Sequence, residues 1–205
     1  VLRLVIDSAS EACSAALFGD AGLLDFRHEV IGRGHAERLV PLIAELKDGG
    51  RADAIAVGCG PGSFAGVRIG VAAARALALG WGVPAKGFSS LALVAAGAAK
   101  ELAEADGGLV VMEGGHGQWF VQPFAANLKP AADVRSLLPD EAAALPQALI
   151  VGNRAEAFVA RRGHGRAVPA LPDARAFALL PREALFGDPS PIYGRAPDAK
   201  PMALS

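Results

Sequence analysis

Short apolar runs separated by glycine, aspartate and serine organise the first half of the chain. Leu2 to Ile6, Cys13 to Phe18 and Leu23 to Val30 read as strands, the last two joined as a hairpin at Asp20 to Gly22. The pattern then changes period. From Gly34 to Leu46 the apolar residues Leu39, Leu42, Ile43 and Leu46 fall at helical spacing, which predicts a helix over Arg38 to Lys47 with one apolar face. Pro41 either sits in its first turn or kinks it. Ala54 to Val57 is a further apolar run, followed by a turn of Gly58, Gly60, Pro61, Gly62 and Ser63 and by a helix over Gly66 to Leu79. Gly66, Gly70 and Ala73 or Ala74 recur along that helix, so one face carries almost no side chain. A helical glycine is about 1 kcal/mol worse than alanine, so a pair of them implies a packing reason.

An alanine-rich helix is predicted over Leu91 to Glu104, with strands at Gly108 to Met112 and Gln118 to Phe124 after it. Beyond Asn127 the pattern supports a helix at Asp140 to Ala144, a strand at Ala148 to Gly152, helices at Ala155 to Arg162 and Ala174 to Leu180, and a proline-rich end from Pro189 to Pro201.

The 205 residues suffice for one domain or two small ones with a buried core. With 52% hydrophobic residues, 6% aromatic and 25 glycines, that core is built mainly of Ala, Val, Leu and Ile. The formal net charge of −1 provides no overall field for a nucleic-acid backbone. Arg161, Arg162, His164 and Arg166 form a short basic cluster that reads as a solvated loop. Cys13 and Cys59 lie in or beside apolar runs as small hydrophobes rather than a disulfide framework. The opening VLRLVIDSAS lacks signal-peptide character, and charges and prolines interrupt Val71 to Ala99 as a membrane span. A cytoplasmic chain without a membrane partner is expected.

Three chemistries compete for the glycine turn. Gly60-Pro61-Gly62-Ser63-Phe64-Ala65 fits a loose dinucleotide pattern, but no acidic residue occurs between Gly66 and Lys100, where the ribose-binding acid of that fingerprint falls about 20 residues on. Neither a P-loop lysine nor the spacing of a hydrolase elbow is present. A tight turn with a close helix contact is the alternative. Asp7 after the first strand caps its own turn through Asx hydrogen bonds, whereas the resemblance of this start, an acid just after the first strand, to the actin and Hsp70 ATPase fold implies an approach to nucleotide phosphate. His35 and Glu37 point to different helix faces, and His116 sits in a glycine-rich turn as an exposed residue.

The stretch Gly60 to Gly70, GPGSFAGVRIG, closely resembles the GPGSFTGVRIG signature of the TsaB (YeaZ) family, with Ala65 in place of Thr. Arg33 to Pro41 resembles that family's RGHAERLLP segment, and Pro191 to Arg195 its terminal Pro-x-Tyr-Leu-Arg, with Gly194 replacing Leu. Glu113 to Gln118 departs from the family's second-domain turn. The resemblance implies an α/β fold of two actin/Hsp70-like (ribonuclease H-like) lobes, residues 1–106 and a reduced second lobe at 107–205. It implies a non-catalytic partner of TsaD which, with the ATPase TsaE, supports threonylcarbamoyl transfer to adenosine 37 of ANN-reading tRNAs, touching tRNA only through the complex and forming a homodimer alone.

The metal-binding histidine pair of TsaD has no counterpart at Ser89, Ser90 and Leu91, so neither a metal nor catalytic residues are expected. Leu39, Leu42, Ile43, Gly66, Ile69, Gly70, Ala73 and Leu77 are expected at the subunit interface. No cofactor is required, while weak ATP or ADP binding would fall to Asp7, Ser8, Gly60, Gly62 and Ser63. A glycoprotease-like peptidase, an independent ATP-binding enzyme and a dinucleotide-binding module are the alternatives.

Overall fold

In the computed structural model, residues 1–194 are described. The first sheet takes its strands from β1 (Arg3–Asp7), β2 (Ala12–Gly19), β3 (Gly22–Val30), β4 (Ala54–Gly58) and β5 (Ala85–Phe88), ordered β3-β2-β1-β4-β5. The β1-β2-β3 meander is antiparallel, whereas β4 and β5 join parallel to β1. The second sheet uses β6 (Gly108–Gly115), β7 (Gln118–Phe124), β8 (Arg135–Leu137), β9 (Leu149–Val151) and β10 (Arg166–Val168), ordered β10-β9-β6-β7-β8. Its pairing repeats the first strand for strand: β6-β7-β8 antiparallel, β6-β9-β10 parallel. The two expected lobes are therefore present, and the second is reduced, with three strands of only 3 residues.

Alternation along β1 explains the layering. Leu4 and Ile6 face a core shared with helices α1 (His35–Ala44) and α2 (Phe64–Trp81), while Val5 faces the opposite layer. The stripe His35, Leu39, Leu42 and Ile43 is the buried side of α1, and Arg38 on its flank holds Glu29 of β3 (Nε to Oε2, 2.8 Å). Ser63 caps α2, its hydroxyl accepting Gly66 N–H at 3.3 Å, and Gly82 at φ 70° ends it. By length and composition α2 is apolar enough to cross a membrane, yet Val67, Val71 and Ala74 pack it onto the first sheet.

The predicted helix over Leu91 to Glu104 breaks at Ala98 into α3 (Ser90–Gly97) and α4 (Ala99–Glu104). Helix α3 is apolar on every side because it is buried on every side. Leu93 and Ala96 meet the first sheet, whereas Leu91, Ala92, Val94 and Ala95 join Val110, Met112 and Phe120 of the second. A linear division at residue 106 therefore does not describe the packing. The division is crossed again further on, where the 3-10 segment Ala174–Leu179 places Phe177 against Phe18 and Phe88 of the first lobe. Helices α5 (Pro139–Ala143) and α6 (Ala155–Arg162) cover the far face of the second sheet. Arg161 and Arg162 are the last turn of α6 rather than a loop, where cations suit the helix dipole.

Each outer edge of the first sheet has backbone pairing groups already engaged. On β3, Asp25 Oδ1 accepts Phe26 N–H at 2.8 Å and Arg27 Nη1 donates to the Phe26 carbonyl at 2.7 Å, so side chains occupy groups another strand would use. On β5, Gly87 and Phe186 exchange backbone hydrogen bonds of 3.1 and 3.0 Å.

Candidate functional site

The glycine turn brings α2 onto the turn after β1 at backbone contact. A Cβ on Gly62 would lie 2.1 Å from the Ala9 carbonyl oxygen, one on Gly66 2.1 Å from that of Ser8, and one on Gly70 2.6 Å from Ser8 Oγ. Ser63 N–H donates to the Ala9 carbonyl at 2.7 Å, and Ser8 Oγ to the Gly66 carbonyl at 2.9 Å. The small-residue ridge thus faces inward.

Five of the eight residues expected at the interface, Leu39, Leu42, Ile43, Gly66 and Gly70, are buried within the chain itself. Leu39, Leu42 and Ile43 lie in the core, Gly66 and Gly70 against Ser8, and Ile69, Ala73 and Leu77 are partly buried and packed on the same core. The opposite sides of the same helices are the ones exposed: Val40 (54%), Leu79 (86%), Ala72 and Ala76. Sequence carried a signal for this, since α2 is apolar where a surface helix normally places charge, with only Arg68 and Arg75 between Phe64 and Trp81. At the N-terminal end, Arg68 stacks 3.6 Å above the Phe64 ring and donates to Tyr193 Oη at 3.0 Å.

The expected nucleotide residues separate. Asp7 is fully buried: Oδ2 accepts the Ser90 hydroxyl at 2.6 Å and Oδ1 accepts Ala9 N–H at 2.9 Å. Ser90 Oγ also accepts Gly60 N–H at 3.2 Å, so Asp7 holds the glycine turn through Ser90. Gly60 is covered by the Ile192 carbonyl, and Ser8 is engaged with α2. Only Gly62 and Ser63 of the five line the cavity between the lobes. Burial also pushes the Cys13 and Cys59 thiols up to about 11, consistent with small hydrophobes.

Desolvation raises Asp7 to about 6 against hydrogen bonds that pull it down. The folded chain therefore keeps a proton up to about pH 6 that the unfolded chain releases near 3.8. Between those values the native state binds more protons, so stability falls as pH rises, by about 3 kcal/mol in all. Asp7→Asn keeps the shape without the charge. Its stability relative to the natural chain should rise by about that amount between pH 4 and pH 7. Urea unfolding of both chains across that range checks it, and a constant difference would refute the buried-carboxylate account.

The cavity between the lobes has a volume of about 440 Å³. The β1–β2 turn brings Glu11 to it, and the equivalent β6–β7 hairpin brings Glu113 and exposed His116. Asn153 joins the two sides: its Nδ2 donates to Glu11 Oε2 at 2.9 Å while its Oδ1 accepts Glu113 N–H at 2.9 Å. Glu113 is also paired with Arg154, so it does not orient His116 as a base. Residues 186–194 close one wall. Ile192 N–H donates to the Cys59 carbonyl at 2.7 Å and Asp188 pairs with Arg75 at 2.7 Å; Gly194 meets Phe120 of the second lobe. The contact between Pro191–Tyr193 and the glycine turn was not legible from sequence separation. Arg195, at the end of the family-like segment, lies outside the described residues.

Residues 28–167 match the family model described as "TsaD: tRNA N6-adenosine threonylcarbamoyltransferase". The chain is 44% identical over 100 residues to the tRNA threonylcarbamoyladenosine biosynthesis protein TsaB of Escherichia coli K12, covering 46% of this chain and 43% of that protein. It is 41% identical over 108 residues to the TsaB of Haemophilus influenzae, covering 50% and 45%. The aligned stretch thus spans under half the length of these curated relatives. The structure of YeaZ from Pseudomonas aeruginosa superposes with a TM-score of 0.77 at 28% identity, over 94% of this chain and 99% of that one. The signature at the glycine turn, the paired lobes and these matches agree that the chain belongs to the TsaD family, in its TsaB (YeaZ) branch.

Proposed function

We propose that this chain is a non-catalytic subunit that docks on a TsaD-type protein and supports the threonylcarbamoyl modification of adenosine 37 in ANN-reading tRNAs, with a TsaE-type ATPase in the same complex. The observation that carries the reading is the outward side of α1 and α2, where Val40, Ala72, Ala76 and Leu79 leave an apolar surface on two adjacent helices. Small side chains there let a second pair of helices approach closely, and four helices would then bury the surface from both sides. An isologous pairing of the same surface would give a homodimer when the partner is absent. The names carried by the relatives support the biosynthetic context. With net charge −1, tRNA contact falls to the assembled complex.

Sedimentation velocity on the chain alone, and mixed with the TsaD-type protein of the same organism, tests the reading. A heavier mixed species that grows as the homodimer declines is expected. Absence of any mixed species at micromolar concentration would overturn it.

A further inference from the structure

We propose that the cavity between the lobes binds a small organic cation, a primary amine or guanidine carried on an apolar body. The duplicated topology sets two equivalent hairpin turns against each other, and each delivers a carboxylate, Glu11 from the first lobe and Glu113 from the second. Their charges are balanced differently. Glu113 is paired with Arg154, whereas Glu11 has the neutral amide of Asn153 and, among the described residues, no cation. None of the described residues lining the cavity is Lys or Arg.

A phosphate here would meet the Glu11 carboxylate, which has no cationic partner among the described residues, in a space partly withdrawn from water where like charges repel more strongly than in bulk. A cation gains from the same field. The remaining lining specifies its body: Val67, Leu91, Met112 and Phe120 are buried apolar residues, and Tyr193 is an exposed aromatic one. An aromatic ring beside a bound ammonium adds a cation–π contribution, and methionine adapts to the shape of an apolar group. The volume of about 440 Å³ lies in the range of small-ligand sites.

The test uses a pair of probes with the same body and opposite charge, phenethylamine and 3-phenylpropanoate, with ATP as a third, titrated calorimetrically into the full chain. Saturable binding of the amine and none of the phenylpropanoate is expected. Glu11→Gln keeps an acceptor for Asn153 and should weaken the amine about tenfold or more, the loss of one charged contact. Ser10→Lys, on the same wall, should do likewise by supplying the missing cation, and it decides the matter if Glu11→Gln does not fold; melting curves report folding for both. Binding of the anion as tight as the amine, tighter binding of ATP, amine affinity unchanged in the folded variants, or no amine binding at millimolar concentration would each overturn the proposal. Calorimetry on this chain alone reads the cavity separately from docking of α1 and α2, so either reading can fail without the other.

Discussion

Gly66→Ala destabilises the chain by about 3 kcal/mol or more, although alanine is the better helix former by about 1 kcal/mol. The added methyl would sit 2.1 Å from the Ser8 carbonyl oxygen, well inside van der Waals contact. Neither partner can move cheaply. Ser8 follows β1 at the centre of the first sheet, and its hydroxyl is bonded to Gly66 itself. Relief therefore requires α2 to lift from the sheet, opening the contacts of Val67 and Val71. The control lies in the same helix: a Cβ at Gly80 meets nothing within 4 Å, and Gly80→Ala should stabilise by about 0.5 kcal/mol. Equilibrium urea unfolding of the two variants measures both signs. Equal effects at the two sites would show that helix propensity, rather than the approach of α2 to the 7–9 turn, governs these glycines.

Ala72→Glu should weaken docking on a TsaD-type partner about a hundredfold while leaving the melting temperature of the free chain nearly unchanged. Ala72 is exposed on α2, with Arg68 four residues before it and Arg75 three after, so the free helix accommodates the carboxylate at no loss. In the four-helix arrangement the same carboxylate would be withdrawn from water against apolar side chains. Gly70→Leu offers the contrast. It too would abolish pairing, but through collapse of the monomer, because its side chain begins 2.6 Å from Ser8 Oγ. Sedimentation with the partner and thermal melting of each variant distinguish the mechanisms. Undiminished pairing by a folded Ala72→Glu chain would remove this surface from the proposed function.

Much of the fold is written locally. The stripe Leu39, Leu42 and Ile43 has one periodicity and forms one helix, although that helix stops at Ala44, short of the expected Lys47, and leaves Leu46 in extended backbone; the short run Ala54 to Val57 before the glycine turn is a strand, as read. Strands β8 and β10, of 3 residues each, were not legible because so short a segment has no period of its own and pairs only when β7 and β9 are already in place. Helix α3 was legible as a helix but not as the layer between two sheets, since an alanine-rich apolar segment looks the same buried on one side or on all.

By itself the sequence determined β1 to β4, α1 and α2 of the first lobe, the family signature from Gly60 to Gly70, and the need for a packing partner along the Gly66–Gly70 face. Which partner that face meets was decided by tertiary structure. Periodicity defines a face, but it cannot say whether that face meets the chain's own β1 turn or another subunit. Here the Ser8 and Ala9 carbonyls, brought in from more than fifty residues away in the chain, fill it. The same holds for the cavity, because Glu11 and Asn153 are far apart in sequence and become neighbours only when α3 has packed both sheets together.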